Sequence, residues 1–415
     1  MHHVLHRAQR RAGRILRELV PYNRRYRPVG VHSSSRQLAT LPNSGASYYE
    51  VIPAHTSYLN MPDAFYEQAS TYGGSLHSKP NRQEAVPAAF VLELRQGRVY
   101  ADNNDSVAVI SADNKLVGDA SFQYTNKTWD TIQPEDNNIF RQSYFLEPER
   151  INGTVCSLLS GGGAAIGNYY HWMIDSVPRL HLLKETGQLK SVDYFLVYDR
   201  QLRFVQETLV ALGIRPEQLI DVATHRHVQA DRLLVTSPVR GNGAHTPSWA
   251  CDFLKAAYQP APLPLGQERK FSPLVYISRR DADTRQVLNK DAVEDLLSQY
   301  GFETYVLSPM SFADKVELFA GARAIVSTVG AGMTNLVFCA PGTPLLELFP
   351  QGFVVPDFLE LSSRVGLDYH WMVCPNLRPA TDLGDARRED LTVNIEELRR
   401  QLDLLQLHEA VAATA

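Results

Sequence analysis

The chain has 415 residues, 44% of them hydrophobic and 21% charged, a globular balance in a length that suits two or three domains rather than one core. A formal net charge of −4 gives no reason to expect a nucleic-acid partner. No run reaches the roughly 18–20 apolar residues of a membrane span, and the N-terminus lacks the apolar core of a signal peptide. Cys156, Cys251, Cys339 and Cys374 are dispersed without a CxxC pair, which fits buried thiols in a reducing compartment. The expectation is a cytoplasmic protein.

Residues 1–45 read as a basic amphipathic helix and linker. Arg7, Arg10, Arg11, Arg14 and Arg17 share one side of a helical wheel, and Val4, Ala8, Ala12, Ile15 and Leu19 share the other. Arg24, Arg25 and Arg27 extend the charge beyond Pro21. Such a segment can lie on an anionic membrane surface, so residues 1–28 point to a peripheral association; the alternative is a helix packed on its own domain or on a second subunit.

Residues 46–260 read as the first domain, with mixed α/β structure and β-rich insertions. Short β-like runs such as Ala88–Leu94 and Ser106–Ile110 carry no chemical motif up to residue 150. Clear alternation of strand and helix begins at Thr154–Leu159. The run Gly161-Gly162-Gly163 then leads into a helix, Asn168–Leu180, that Pro178 kinks or divides. Strands are expected at Tyr194–Tyr198, Leu219–Val222 and Arg232–Val235, with a helix over Phe204–Leu212. His225-Arg226-His227 has no further ligands at metal spacing and reads as surface.

Gln259–Gly266, with three prolines and a glycine, is the expected linker. Residues 270–380 read as a Rossmann-like nucleotide-binding domain, and residues 381–415 as a C-terminal helical segment with an amphipathic helix over Asn394–His408. The elements run strand Leu274–Ser278, helix Asp291–Tyr300, strand Glu303–Leu307, helix Phe312–Ala320 capped by Ser311, strand Ala324–Val326, a glycine turn, strand Pro344–Pro350 and strand Tyr369–Cys374. Ligands in such sheets bind beyond the carboxyl ends of the strands. Arg279 and Arg280 follow the first strand; Gly330-Ala331-Gly332-Met333-Thr334-Asn335 follows the third; Glu347 lies in the fourth. Glycines that admit a phosphate to the backbone, with donors from Thr334 and Asn335, suit a diphosphate. An arginine fork suits its oxygens and a carboxylate suits a ribose diol. Each element also has a bland alternative: an ordinary tight turn, salt-bridged surface arginines, a paired edge carboxylate.

Asn168-Tyr169-Tyr170-His171-Trp172-Met173-Ile174-Asp175-Ser176-Val177-Pro178-Arg179-Leu180, Tyr276–Arg280 with Arg285 and Asn289, Gly330–Asn335, and Pro341–Glu347 occur in an order that resembles glycosyltransferase family 61, over about residues 150 to 350. The resemblance implies a GT-B-like fold, two Rossmann-like domains facing across a cleft with a β-rich N-terminal extension. It implies an inverting, metal-independent transfer of a sugar from a nucleotide donor to a glycan or glycolipid acceptor, with no cofactor. In that reading Asp175 is the preferred general base and His171, at i, i+4, the alternative or its partner. Otherwise His171 orients local backbone and Asp175 pairs with Arg179. Arg279, with Arg280 or Arg285, neutralises the diphosphate; Gly330, Ala331, Gly332, Thr334 and Asn335 cradle it; Glu347 holds the ribose. Asp281-Ala282-Asp283 resembles a metal-binding DxD but reads as a solvated loop. The competing readings are a non-catalytic nucleotide-sugar- or glycan-binding relative, and a Rossmann oxidoreductase, disfavoured because the glycine turn comes late in its domain. Oligomeric state is not determined by these features.

Overall fold

The computed structural model describes residues 24–70, 81–101, 105–124, 131–240, 245–260, 269–375 and 380–405. Most of the expected basic helix, most of the proline-rich linker and the last residues of the C-terminal helix lie outside them. Packing separates two units: Met1–His55 with Val86–Asn242, and Thr56–Ala85 with Gly243–Ala415. The expected boundary at the proline-rich segment is corrected in two places. Ser248–Tyr258 forms a helix of the second unit, and residues 56–85 leave the first unit to join the second.

The first unit is built on an eleven-stranded sheet. Glu149–Ser157 pairs in parallel with Tyr194–Val197 and with His227–Thr236, and Leu219–Asp221 pairs in parallel with Tyr194–Val197. On the far side of His227–Thr236 the direction reverses: Ala89–Arg95 and Arg98–Tyr100 pair with it antiparallel, followed by Ala46–Ile52 and Ser106–Ile110. The β-rich N-terminal residues are therefore the antiparallel half of one sheet rather than an extension. The reason is the row of backbone donors and acceptors that His227–Thr236 would otherwise leave unpaired. Leu92, Leu94, Val99, Val155, Leu196 and Leu233 are buried in the core of this sheet.

His227 corrects the surface reading of its tripeptide. It opens a core strand and is buried, with Nδ1 2.7 Å from the Leu146 carbonyl and Nε2 3.1 Å from Arg98 Nη1. Burial pushes its pKa down to about 4, so the neutral ring donates from Nδ1 and accepts at Nε2.

In the second unit five parallel strands stand in the order Glu303–Tyr305, Leu274–Ile277, Ala324–Thr328, Pro344–Pro350, Asp368–Cys374. In chain order this is 2-1-3-4-5, so the winding reverses between the first and third strands, the position at which doubly wound sheets bind ligands. Ser311 caps the helix Phe312–Gly321 by accepting from the Asp314 N–H at 3.0 Å. The helix Asp357–Val365, unassigned from sequence, ends at Gly366 in a left-handed conformation (φ 75°). Residues 56–70 are held by Phe65 on the helix Asp63–Gln68, whose ring lies 6.1 Å from Phe349, 6.1 Å from Tyr369 and 5.3 Å from Trp371. Among the described residues no helix is long and apolar enough to cross a membrane.

Candidate functional site

The first unit concentrates its chemistry beyond the carboxyl ends of two adjacent parallel strands, Glu149–Ser157 and His227–Thr236. After the first come the three glycines. A Cβ on Gly161 would stand 2.0 Å from Phe122 Cε2, and one on Gly163 would stand 1.9 Å from His171 Cδ2. The glycines are thus the floor on which these rings rest. The helix expected over Asn168–Leu180 is in three pieces. Asn168 caps the first by accepting from the Tyr170 N–H at 2.9 Å. Pro178 cannot donate, and the Val177 N–H reaches back five residues to the Trp172 carbonyl at 3.0 Å, so Trp172–Ser176 is a π turn. Such turns often mark functional positions, and this one carries Asp175.

Asp175 accepts three charge-assisted bonds: from Arg240 Nε at 2.7 Å, Arg240 Nη2 at 2.9 Å and His171 Nδ1 at 2.8 Å. Burial by itself raises the pKa of this carboxyl, but the Arg240 charge and the His171 contact outweigh it and hold the group well below the usual carboxylate range. A carboxylate so occupied is a poor proton acceptor, which revises the expected ranking of Asp175 over His171. An ionised carboxylate only accepts, so His171 carries its proton on Nδ1 and presents Nε2. The His171 side chain is also the more accessible of the two, 33% exposed against 18% for Asp175. Arg179 does not form the alternative ion pair. Its Nε bonds the Asp175 backbone carbonyl at 2.9 Å, and its Nη1 lies 3.4 Å from Thr236 Oγ1.

In the second unit Arg279 leaves the end of strand Leu274–Ile277 and folds across the switch point toward the turn after Ala324–Thr328. Its Nε and Nη2 bond the Thr284 carbonyl at 3.2 and 3.1 Å. Its Nη1 lies over Gly330, where a Cβ would stand only 2.0 Å away. Gly330 has φ 175°, an ordinary extended value, so its glycine is required by the guanidinium and not by backbone strain. The helix Ala331–Phe338 starts here, and its first N–H groups have no carbonyl in the helix to bond. Arg285 (φ 55°) bonds the Arg387 carbonyl through Nη1 at 2.7 Å and stacks on Phe353 at 5.2 Å, while its buried Nε meets no partner. Burial and the charges of Arg279 and Arg387 push its pKa down to about 10. Three cations within one another's field, one with a buried donor unspent, form a site complementary to a compact polyanion.

Other expected donor-site residues have different employment. Arg280 turns outward and pairs with Glu294 at 2.5 Å, which corrects its assignment to the phosphate. Thr334 and Asn335 are buried, and their donors bond the carbonyls of Ala331 and Gly332 at 2.7 Å each, so they brace the helix from within. Ala331 and Gly332 supply backbone only; a Cβ on Gly332 would meet Leu307 Cδ1 at 2.6 Å. Glu347 is fully buried in mid-strand and accepts from the Tyr369 hydroxyl at 2.6 Å. Burial raises its pKa well above the ordinary value, and its Oε1 is buried without a hydrogen-bond partner; a place in the middle of strand Pro344–Pro350 rather than beyond its carboxyl end does not suit the ribose role expected of it. Asp281 of the DxD-like loop accepts from the Ser308 N–H at 3.3 Å. Among the described residues no three His, Cys, Asp or Glu side chains are grouped to hold a metal.

Two contributors escaped the sequence reading. Arg240 follows the strand Arg232–Val235 as Arg279 follows its own, so the same signal was present there. Arg387 follows a short helix, Leu383–Ala386, far from any strand end, and nothing local marks it.

Residues 169–346 match the family model described as Glycosyltransferase 61. Among curated proteins, the chain is 34% identical over 73 residues to a beta-1,2-xylosyltransferase of Arabidopsis thaliana, covering 18% of this chain and 14% of the relative. It is 32% identical over 114 residues to a protein O-linked-mannose beta-1,4-N-acetylglucosaminyltransferase 2 of Tetraodon nigroviridis, covering 26% and 19%. These matches span less than a fifth of either relative's length. The matched region contains His171, Asp175, Arg240, Arg279, Arg285 and Gly330, and over it the chain is similar to glycosyltransferase family 61.

Proposed function

We propose that the protein is an inverting glycosyltransferase that moves a sugar from a nucleoside diphosphate donor to a hydroxyl of a surface polysaccharide or glycolipid. The observation that carries this reading is the set of Arg279, Arg285 and the Gly330 turn at the switch point of a parallel sheet. Charge there neutralises the departing diphosphate, the part of the transition state that gains negative charge. His171 Nε2 takes the proton of the acceptor hydroxyl, and the oxygen bonds the anomeric carbon from the face opposite the phosphate. The bond from that carbon to the phosphate oxygen breaks, and its electron pair leaves with the nucleoside diphosphate. Asp175 orients the imidazole and stabilises the imidazolium. A GT-B organisation, in which a donor unit and a base-bearing unit serve one reaction, is part of the proposal. So are metal independence, since arginines fill the role of a metal at the phosphates, and a cytoplasmic site of action with residues 1–28 on an anionic membrane face.

The test is a panel of nucleotide sugars with UDP, GDP, dTDP and CMP as carriers, read by binding and by donor hydrolysis. Xylosyl and N-acetylglucosaminyl donors come first, because the matched relatives are named for those transfers. Diphosphate donors should bind and turn over, CMP-linked donors should not, and a chelator should leave the rate unchanged. Binding without turnover for every donor would favour a non-catalytic relative, and no binding at all would remove the reading.

A further inference from the structure

The carboxylate of Asp175 is gripped from two sides. Arg240 meets both oxygens, Nε on Oδ1 and Nη2 on Oδ2, and His171 meets Oδ2 alone. Arg240 is fixed in turn by Tyr170: Nη1 donates to the hydroxyl at 3.2 Å, and the guanidinium carbon lies 5.4 Å from the ring centroid. Tyr170 also sets its ring edge-on to His171 at 5.2 Å. The imidazole is therefore bounded by Gly163 beneath, Tyr170 beside and Asp175 at Nδ1, with Arg240 binding the last two together.

We propose, on the reading of the protein as a glycosyltransferase, that Arg240 is a positioning residue that sets both the orientation and the basicity of His171. Its orienting role follows from the fork, since a bidentate pair fixes the carboxylate plane and hence the direction of the bond to Nδ1. Its effect on basicity follows from charge. The Asp175 carboxylate by itself favours a proton on the imidazole. Arg240 cancels that pull, so the pair beside the imidazole is neutral overall. Among the described residues, the charged and titratable groups in this neighbourhood include Asp175, Arg240 and Tyr170, with Tyr124 and Arg179 in the field of Asp175.

Arg240→Met and Arg240→Lys separate the two roles. In Arg240→Met the acid limb of kcat, which follows deprotonation of His171, should move up by about one pH unit or more. The same shift should appear when the His171 ring is titrated by NMR in the folded, full-length protein, with His171→Gln identifying the signal. In Arg240→Lys the charge remains and the fork is lost. There the limb should stay at its wild-type pH while kcat falls at least tenfold and KM for the donor holds. A His171 titration in Arg240→Met that coincides with wild type overturns the proposal. Should Arg240→Met fail to fold, because it leaves a buried carboxylate uncompensated, Arg240→Lys decides, and an unchanged kcat there overturns the proposal. The NMR titration needs no donor. Absence of wild-type turnover would sink the glycosyltransferase reading, while the titration still tests the linkage between Arg240 and His171.

Discussion

Replacing Gly330 by Ala isolates the part of the proposed donor site that sequence alone made ambiguous. The new Cβ would stand 2.0 Å from Arg279 Nη1, against about 3.5 Å for an ordinary contact, so the guanidinium must withdraw by about 1.5 Å. The backbone is not strained, because φ at Gly330 is 175°. Loss of the helix-capping preference of glycine costs at most about 1 kcal/mol, or roughly 2–4 °C of melting temperature in a domain of this size. Displacing the guanidinium forfeits a hydrogen bond to a charged phosphate, about 1.5–3 kcal/mol, which is on the order of 10- to 150-fold in Kd. Isothermal titration with the nucleoside diphosphate that wild type binds should show this loss in Gly330→Ala. In the background of Arg279→Met the same substitution should be nearly silent, since the group it displaces is gone. Full additivity of the two substitutions, or an affinity for Gly330→Ala within twofold of wild type, would refute the claim that this glycine exists to admit Arg279.

Arg285→Ala and Arg285→Gly should both weaken nucleoside diphosphate binding at least tenfold; Gly should be the more stable by about 1 kcal/mol in urea denaturation, because φ at this position is 55°. Glu347 has a raised pKa from burial, so its contribution to stability is complete below the unfolded value of 4.5 and declines as pH rises toward the folded pKa. As pH rises above 4.5, wild-type stability should therefore fall more steeply than that of Glu347→Gln, and parallel slopes would contradict the assignment. Gly163→Ala places a Cβ 1.9 Å from His171 Cδ2; it should lower kcat and leave donor affinity intact, and a loss of donor affinity would count against the division of roles.

Local pattern determined much of this protein. The apolar runs Tyr194–Val197, Leu274–Ile277, Ala324–Thr328 and Pro344–Pro350 are buried parallel strands, and such strands announce themselves as continuous hydrophobic stretches. Ser311 declared a helix start through capping chemistry that acts within three residues. The spacing of His171 and Asp175 foretold a shared face and, in the structure, a hydrogen bond. Arginine beyond a strand end marked Arg279.

What sequence left undecided was set by contacts between distant residues. Arg279 and Arg280 are adjacent and chemically identical, yet one turns toward Gly330 and the other toward Glu294, and only packing separates them. Glu347 could be read as a ribose ligand until burial and Tyr369 placed it in the sheet interior. Asp175 was the better base on paper. Arg240, 65 residues further along the chain, occupies its oxygens, which is why the proposed base is His171. Such pairings depend on how strands distant in sequence are aligned in the sheet, and the chain encodes that alignment only through the fold as a whole.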